Sequence, residues 1–303
     1  MKSVGAIAVL LLLSLATSQV TYNPTLAVEL AYMSSIAYES AASINAWNCP
    51  RCSKYPLQNV KVFSNSGGDI QGFTGYLASS NAIILSFRGS SNIQNWIINL
   101  SFNQVDYSRC AGCKVHNGFN TGYNLVKSSV VSNIQALKAL HRDAKIYITG
   151  HSLGGALATL AAPDVKDNFG AIAAFITFGE PRVGNSQFAS WFGSVVSSER
   201  VVHYGDIVPH VPPQANGFLH EGTEIWYDKA MQTYKSCSGD STGCSNSLPA
   251  TSLNTGDHSM DIYITLKVGS ANTWWEKIDS SIRFFRSLLI ESEKNENLLT
   301  HNE

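Results

Sequence analysis

The chain has 303 residues, a formal net charge of −1 at pH 7, 44% hydrophobic residues and only 14% charged ones. A balance this near neutrality offers no basic field to gather nucleic acid, and the length suffices for one large domain with a well-buried core. Met1-Lys-Ser-Val, an almost wholly apolar run from Val4 to Ala16, and the small residues Ala16 and Ser18 have the form of a secretory signal peptide over residues 1–18. Cleavage is expected before Gln19. No other stretch approaches ~18 uninterrupted apolar residues, so the mature chain is expected to carry no transmembrane segment and to be exported.

Residues 19–270 are expected to form one domain. Pro24 to Tyr38 carries Leu26, Leu30, Met33, Ile36 and Ala37 behind an N-terminal proline, which predicts an amphipathic helix. Strands are predicted over Asn59 to Phe63, Gly72 to Ala78 and Ala82 to Phe87, the last being the most apolar. Helical spacing runs from Val126 to Leu140, and a strand turning into a helix covers 145–162. Ile172 to Phe178, Arg200 to Tyr204 and Glu224 to Tyr227 complete the strands. Strands alternating with helices over this length predict an α/β fold with a mostly parallel central sheet flanked by helices. From residue 271 onward Trp274, Trp275, Ile278, Ile282, Phe285 and Leu289 recur at helical spacing, an amphipathic extension. It is expected to pack on the domain, with an interfacial membrane-contact helix or a loosely ordered tail as alternatives.

Six cysteines fall into the close pairs Cys49/Cys52, Cys110/Cys113 and Cys237/Cys244. In an oxidising compartment these predict three local disulfides; the rival is zinc held by the two C-x-x-C pairs. Because each bridge closes only a short loop, each is expected mainly to pin a surface turn.

Ser152 lies in Gly150-His-Ser-Leu-Gly154, between a buried-type strand, Ile146-Tyr-Ile, and a helix rich in small residues. The glycines two positions to either side stand where a side chain would collide with the neighbouring strand or helix. A serine hydroxyl needs an imidazole to take its proton, and the imidazole needs a carboxylate to orient it. In a sheet architecture of this kind the chain order is serine, acid, histidine. The acids that follow are Asp164, Asp167, Glu180, Asp206, Asp228, Asp240 and Asp257. Asp206 stands just past an apolar strand and a glycine, where such sites assemble. Asp164 and Asp167 fall just past the predicted elbow helix and are expected to be helix-end or loop charges. His258, on a loop ahead of the final apolar segment, is the expected base, with His210 the runner-up. His151, His203 and His220 are expected to be structural.

Attack on a carbonyl builds negative charge on oxygen, which needs preorganised donors. The N–H of Leu153 is one candidate, and Ser90, in the loop after the strand ending at Phe87, is the other; Ser90 is equally natural as a helix N-cap. Immediately after it, Ile93, Trp96, Ile97 and Leu100 make an i, i+3, i+4, i+7 stripe among Asn92, Gln94, Asn95 and Asn99. A short amphipathic helix here is expected to act as a lid and lipid-facing surface, the alternative being ordinary core packing. Asn99-Leu-Ser is an N-glycosylation sequon.

These residues resemble the fungal-type class 3 triacylglycerol lipases and the related feruloyl esterases. The likeness rests on Phe-Arg-Gly-Ser at 87–90, Asn-Trp at 95–96, Val-His-x-Gly-Phe at 115–119, Gly-His-Ser-Leu-Gly-Gly at 150–155, Phe-Gly-x-Pro-Arg-Val-Gly-Asn at 178–185 and Asp-Ile-Val-Pro-His-Val-Pro-Pro at 206–213. It covers roughly residues 24–268. The resemblance implies an α/β-hydrolase fold, Ser152, Asp206 and His258 as catalytic residues, Ser90 and Leu153 as oxyanion donors, and a lid over 91–102. It departs at Glu39, where relatives often carry a cysteine tying the first helix to the far end of the chain. The expected activity is hydrolysis of triacylglycerol at a lipid–water interface through an acyl-enzyme. The expected partners are the acyl lipid and a transient lipid surface, and no metal or organic cofactor is required. A phospholipase, a feruloyl or aryl esterase, a serine peptidase and a lipid-binding protein without hydrolysis are the alternatives.

Overall fold

The computed structural model describes residues 22–266; the signal peptide expected at 1–18 and the amphipathic extension expected from 271 lie outside the described residues. The elements in chain order are α1 (Pro24–Ile36), α2 (Ala41–Ala46), β1 (Leu57–Asn65), β2 (Ile70–Leu77), β3 (Ala82–Phe87), α3 (Ile93–Asn99), β4 (Gln104–Asp106), β5 (Lys114–His116), α4 (Asn117–Leu140), β6 (Lys145–His151), α5 (Leu153–Phe169), β7 (Ala174–Phe178), α6 (Ser186–Val195), β8 (Glu199–His203), β9 (Thr223–Tyr227), β10 (Tyr234–Ser238) and α7 (Met260–Tyr263). An eight-stranded sheet runs β1-β2-β3-β6-β7-β8-β9-β10. Its middle, β3-β6-β7-β8-β9, is parallel, and β1, β2 and β10 join antiparallel at the flanks. This is the expected α/β sheet.

Strand periodicity divides the core into two layers, because successive side chains point to opposite faces. Ile83, Leu85, Phe87, Ile146, Ile148 and Phe175 pack with α4, α5 and α6. Ala82, Ile84, Tyr147, Ala174, Ile176 and Phe178 pack with α1 and α7 on the other face. Every residue of β3, β7 and β8 is buried, as parallel strands covered on both faces require. Truncating a fully buried ring such as Phe175 to alanine would cost roughly 3–5 kcal/mol.

Several boundaries differ from the sequence expectation, for identifiable reasons. Helix α1 is capped by Asn23, whose side chain accepts from the N–H groups of Thr25 and Leu26. It buries Ala27, Ala31, Ser34 and Ser35 as well as Leu30, Met33 and Ile36, so it is sandwiched between the sheet and α7 rather than simply amphipathic. Helix α4 begins at Asn117, not near Val126. His116 Nδ1 caps it by accepting from Phe119 N–H, and its small polar first turns hide the apolar period. Helix α5 continues through Pro163 to Phe169, which moves Asp164 and Asp167 inside the helix. Asp164 is buried there, bound by Tyr123, Arg109 and Lys127, and is not a helix-end charge.

The three cysteine pairs are disulfides: Cys49–Cys52, Cys110–Cys113 and Cys237–Cys244, with Cα–Cα distances of 5.1, 5.5 and 6.1 Å. This removes the zinc alternative for 49/52 and 110/113. The bridges do not merely pin surface turns, however, because Cys52 and Cys244 are wholly buried and Cys49 and Cys113 nearly so. Cys49 and Cys52 belong to the core layer under α1, where Trp47 Nε1–H donates to Cys52 O at 3.0 Å and holds the loop down. Cys244 is drawn in by the next residue, whose N–H (Ser245) donates to the buried Glu224 Oε1 on β9 at 3.0 Å. A short loop limits the unfolded-state entropy a bridge removes, but it does not decide how deeply the sulfurs pack.

Candidate active site

The sharp turn from β6 into α5 places Ser152 at φ 59°, ψ −133°, in the left-handed half of backbone space. Its neighbours explain why glycines flank it. A Cβ on Gly150 would lie 2.2 Å from the Gly154 carbonyl oxygen, and one on Gly154 would lie 2.3 Å from that of Phe87. Helix α5 can therefore approach β3 and β6 only where side chains are absent. The main chain at the bend is held by Ser152 N–H donating to Phe178 O at 2.9 Å.

Asp206 sits in the turn after β8, beyond Gly205. A Cβ at Gly205 would meet Ser252 O at 2.5 Å, so only glycine lets this turn lie against the segment carrying His258. Main-chain bonds join the two: Asn254 N–H to Gly205 O at 2.9 Å and Ile207 N–H to Asn254 O at 3.2 Å. Asp257 Oδ2 adds a bond from Gly205 N–H. His258 Nδ1 lies 2.8 Å from Asp206 Oδ2 and 3.0 Å from Oδ1, with both residues buried. Tyr263 Oη donates to Asp206 Oδ2 at 2.6 Å, and Val208 N–H donates to Oδ1 at 2.8 Å. Burial alone would raise the Asp206 carboxyl, but the facing His258 and these donors outweigh it and hold the group below its ordinary value. Asp206 is thus the ionised acceptor, which puts the imidazole proton on Nδ1 and leaves Nε2 as a lone-pair acceptor.

Ser152 Oγ and His258 Nε2 are both buried, and neither has a hydrogen-bond partner among the described residues. His151 links the two along the chain and across the rings. The His258 ring stacks on His151, the residue before Ser152, with centroids 4.4 Å apart. Gly179, at φ +54°, faces both partners of the pair: a Cβ there would be 2.6 Å from Asp206 Oδ2 and 2.8 Å from His258 Nδ1. Burial first, and then the neighbouring His258, hold His151 well below its ordinary pKa, so it is neutral. Its Nε2–H donates to His258 O at 2.9 Å and its Nδ1 accepts from Tyr38 Oη at 2.7 Å, which fixes the backbone that carries His258.

Leu153 N–H opens α5, where first-turn N–H groups lack intrahelical acceptors. Gly89 brings the β3–α3 loop against the serine, because a Cβ on it would stand 2.9 Å from Ser152 Cβ. Ser90 follows, its Oγ 3.4 Å from Asn92 N; the N-cap of α3 is Asn92 rather than Ser90. Leu153 and Ser90 both line a cavity of about 720 Å³ whose apolar wall includes Ile70, Trp96, Leu100, Phe119 and Leu125. Helix α3 lies along this cavity with no fully buried residue. Ile93, Trp96, Ile97 and Leu100 are half-buried, Trp96 and Leu100 packing against the core, and Ile98 is 79% exposed. Trp96 stacks on Phe119, and the chain after α3 is fastened by His116 Nε2–H donating to Ser101 O.

The other histidines stand apart. His210 makes no bond to Ser152 or Asp206, and its carbonyl accepts from Arg182. His203 faces the carbonyls of Asp257 and Lys229, and His220 that of Pro209. Sequence reasoning passed over Tyr38, Gly179 and Tyr263. Tyr263 is only five residues past His258, inside the final apolar segment, where a tyrosine is indistinguishable from a core filler until its hydroxyl is seen.

No helix among the described residues is long and apolar enough to cross a membrane. Residues 84–216 match the family model for lipase (class 3). The chain is 38% identical over 217 residues to a lipase of Rhizomucor miehei, covering 68% of this chain and 60% of that protein. It is 38% identical over 187 residues to secreted mono- and diacylglycerol lipase 1 of Fusarium solani, covering 60% and 55%. It thus spans less than two thirds of the length of these curated relatives. The structure of a Rhizomucor miehei triacylglyceride lipase superposes with a TM-score of 0.72 at 33% identity, covering 77% of this chain and 92% of that one. The fold, the glycine-flanked serine and these similarities together place the chain in the class 3 lipase family, with an α/β-hydrolase fold.

Proposed function

We propose that this protein is a secreted serine ester hydrolase that cleaves triacylglycerol at a lipid–water interface. Its catalytic domain is taken as residues 19–270, behind a signal peptide at 1–18 and followed by an amphipathic extension at 271–303. The observation that carries the reading is the buried Asp206–His258 hydrogen bond, which leaves Nε2 open beside the strained turn of Ser152. The names of the Rhizomucor and Fusarium relatives support the substrate class and the export.

In this reading Ser152 Oγ attacks the ester carbonyl carbon while His258 Nε2 takes its proton. Asp206 keeps the ring in the tautomer that can do so and stabilises the imidazolium that forms. The oxygen of the tetrahedral intermediate is held by Leu153 N–H and by Ser90. Collapse breaks the bond to the alcohol, which leaves with the proton from Nε2, and the acyl group stays on Ser152. Water then attacks the acyl carbon, giving its proton to Nε2, and the carboxylic acid departs as Oγ recovers its proton. Helix α3 acts as a lid whose apolar stripe meets the lipid, and the cavity beneath it takes the acyl chain.

The test compares hydrolysis of dispersed triacylglycerol with that of a soluble short-chain ester and a feruloyl ester, using wild type and Ser152→Ala. Expected are a rate jump when the substrate forms an interface and loss of turnover in the variant. A preference for the feruloyl ester, or full activity in the variant, overturns the reading.

A further inference from the structure

Beneath the elbow lies a charged cluster that the chemistry above does not use. Glu180 and Glu221 are both buried, their carboxyls adjacent. Thr159 on α5 and Thr177 on β7 each donate to Glu180 at 2.5 Å, and Thr159 also reaches Glu221 Oε1 at 3.5 Å. Arg200 on β8, itself wholly buried, faces the pair and donates through Nε to Glu221 O and through Nη2 to Gly239 O. Its Nη1 and Glu221 Oε2 have no hydrogen-bond partner among the described residues. Behind Arg200 stands His220, neutral through burial, and beyond it the Arg182–Asp240 ion pair. From α5 and β7 only neutral threonines face the carboxyls.

The position of Glu180 in the chain gives the cluster its significance. Phe178, Gly179 and Glu180 are consecutive, and together they meet the Ser152 turn, the Asp206–His258 pair and the start of α5. Phe178 O accepts the Ser152 N–H, Gly179 lies against Asp206 and His258, and Glu180 packs on the first turn of α5, where a Cβ on Gly155 would lie 3.0 Å from Glu180 Cβ. We propose that the Glu180–Glu221 pair is a positioning element for catalysis, locking the Phe178–Gly179 segment to α5 so that Ser152 and the Asp206–His258 pair stay in register. The inference rests on the ester-hydrolase reading above.

The lock depends on protonation. Two adjacent carboxyls facing one arginine, with no water-exposed side, cannot both ionise without an unbalanced buried charge. Burial raises both groups above the ordinary carboxylate range, and Glu221 is raised further by Glu180, so the pair keeps a proton to higher pH than an exposed carboxyl does. Groups raised in this way contribute stability below the ordinary carboxylate pKa and lose it as pH rises through the folded value. The register of the site is therefore expected to loosen on the alkaline side.

The experiment measures kcat and KM for a soluble short-chain ester from pH 6 to 10 (roughly the span over which a buried carboxyl pair releases its second proton). The proteins are wild type, Glu221→Gln, Glu180→Gln, Glu180→Ala and Ser152→Ala. Wild type should lose kcat at alkaline pH with KM little changed. Glu221→Gln removes the shared proton but keeps the charge count facing Arg200, so the alkaline fall should disappear. Glu180→Ala should lower kcat by about 10- to 100-fold at neutral pH with KM held, the scale of a small misplacement of reacting groups, and Glu180→Gln should restore most of it. A wild-type profile without an alkaline fall, or one that Glu221→Gln leaves superimposable, overturns the inference while a dead Ser152→Ala keeps the hydrolase reading intact. Turnover retained in Ser152→Ala overturns both. If Glu180→Ala is not recovered folded, the Glu221→Gln profile alone decides.

Discussion

The turn at Ser152 and helix α3, which lines a cavity together with the adjoining Leu153, are held by very different amounts of structure. Around the turn, Gly150, Gly154, Gly155, Gly89 and Gly179 leave room for backbone and side-chain atoms of their neighbours at contact distance, and β6, β7 and α5 bury most of their residues. Helix α3 buries none of its seven residues and holds by one stacked tryptophan, a half-buried apolar stripe and the His116–Ser101 bond just past its end. In the proposed reading this contrast separates the half of the site that stays from the half that moves, since reacting groups need fixed geometry, whereas a lid would open on contacts weak enough to exchange for lipid.

The largest effect is expected where the fixed half carries charge. Asp206→Asn should lower kcat by about 10⁴-fold with the fold intact, because an amide no longer holds the Nδ1–H tautomer of His258. Steady-state kinetics with circular dichroism checks it, and a loss under about tenfold would break the assignment. Gly154→Ala should destabilise by about 3 kcal/mol, since its Cβ would stand 2.3 Å from Phe87 O and α5 must move off β3. An unaltered denaturant midpoint would mean that the close approach is not required.

Glu199, buried at the start of β8, tests the rigid sheet away from the serine. Burial raises its carboxyl to about 7. Between its ordinary value and 7 the folded chain keeps a proton that the unfolded chain releases, so stability falls as pH rises through that window. Glu199→Gln should abolish this dependence, a difference of about 1–3 kcal/mol between roughly pH 5 and pH 9 in thermal melts. On the proposed lid, Trp96→Ala removes the stack on Phe119. It should raise hydrolysis of a soluble ester by about 2- to 10-fold and shrink the gain at an interface. Unchanged values for both substrates would show that α3 does not gate the cavity.

The same contrast explains what was legible in the sequence. Where sterics decide, as at Gly150 and Gly154 or in the unbroken apolar run of β3, residue type alone specifies the structure, and β3 falls on its predicted residues. The alternation of strands and helices was enough for the sheet and its parallel centre. Spacing was likewise enough to pair Cys49 with Cys52 and Cys237 with Cys244, but not to tell that Cys52 and Cys244 lie in the interior, since that depends on Trp47 and Glu224. The edge strand β10 and helix α6 escaped notice, since Tyr234-Lys-Ser-Cys-Ser alternates weakly and Ser186–Val195 mixes small polar with aromatic residues. Partners set by distant chain segments were out of reach. Nothing near Tyr38 announces His151, and Glu180 was readable only as one more acid until Thr159, Arg200 and Glu221 closed around it.

The most direct measurement is covalent labelling by an active-site phosphonate in the presence of detergent micelles, read by peptide mass spectrometry. The account predicts one adduct per chain, on Ser152, absent in Ser152→Ala and greatly slowed in His258→Ala. An adduct on another residue, or undiminished labelling without His258, would contradict it.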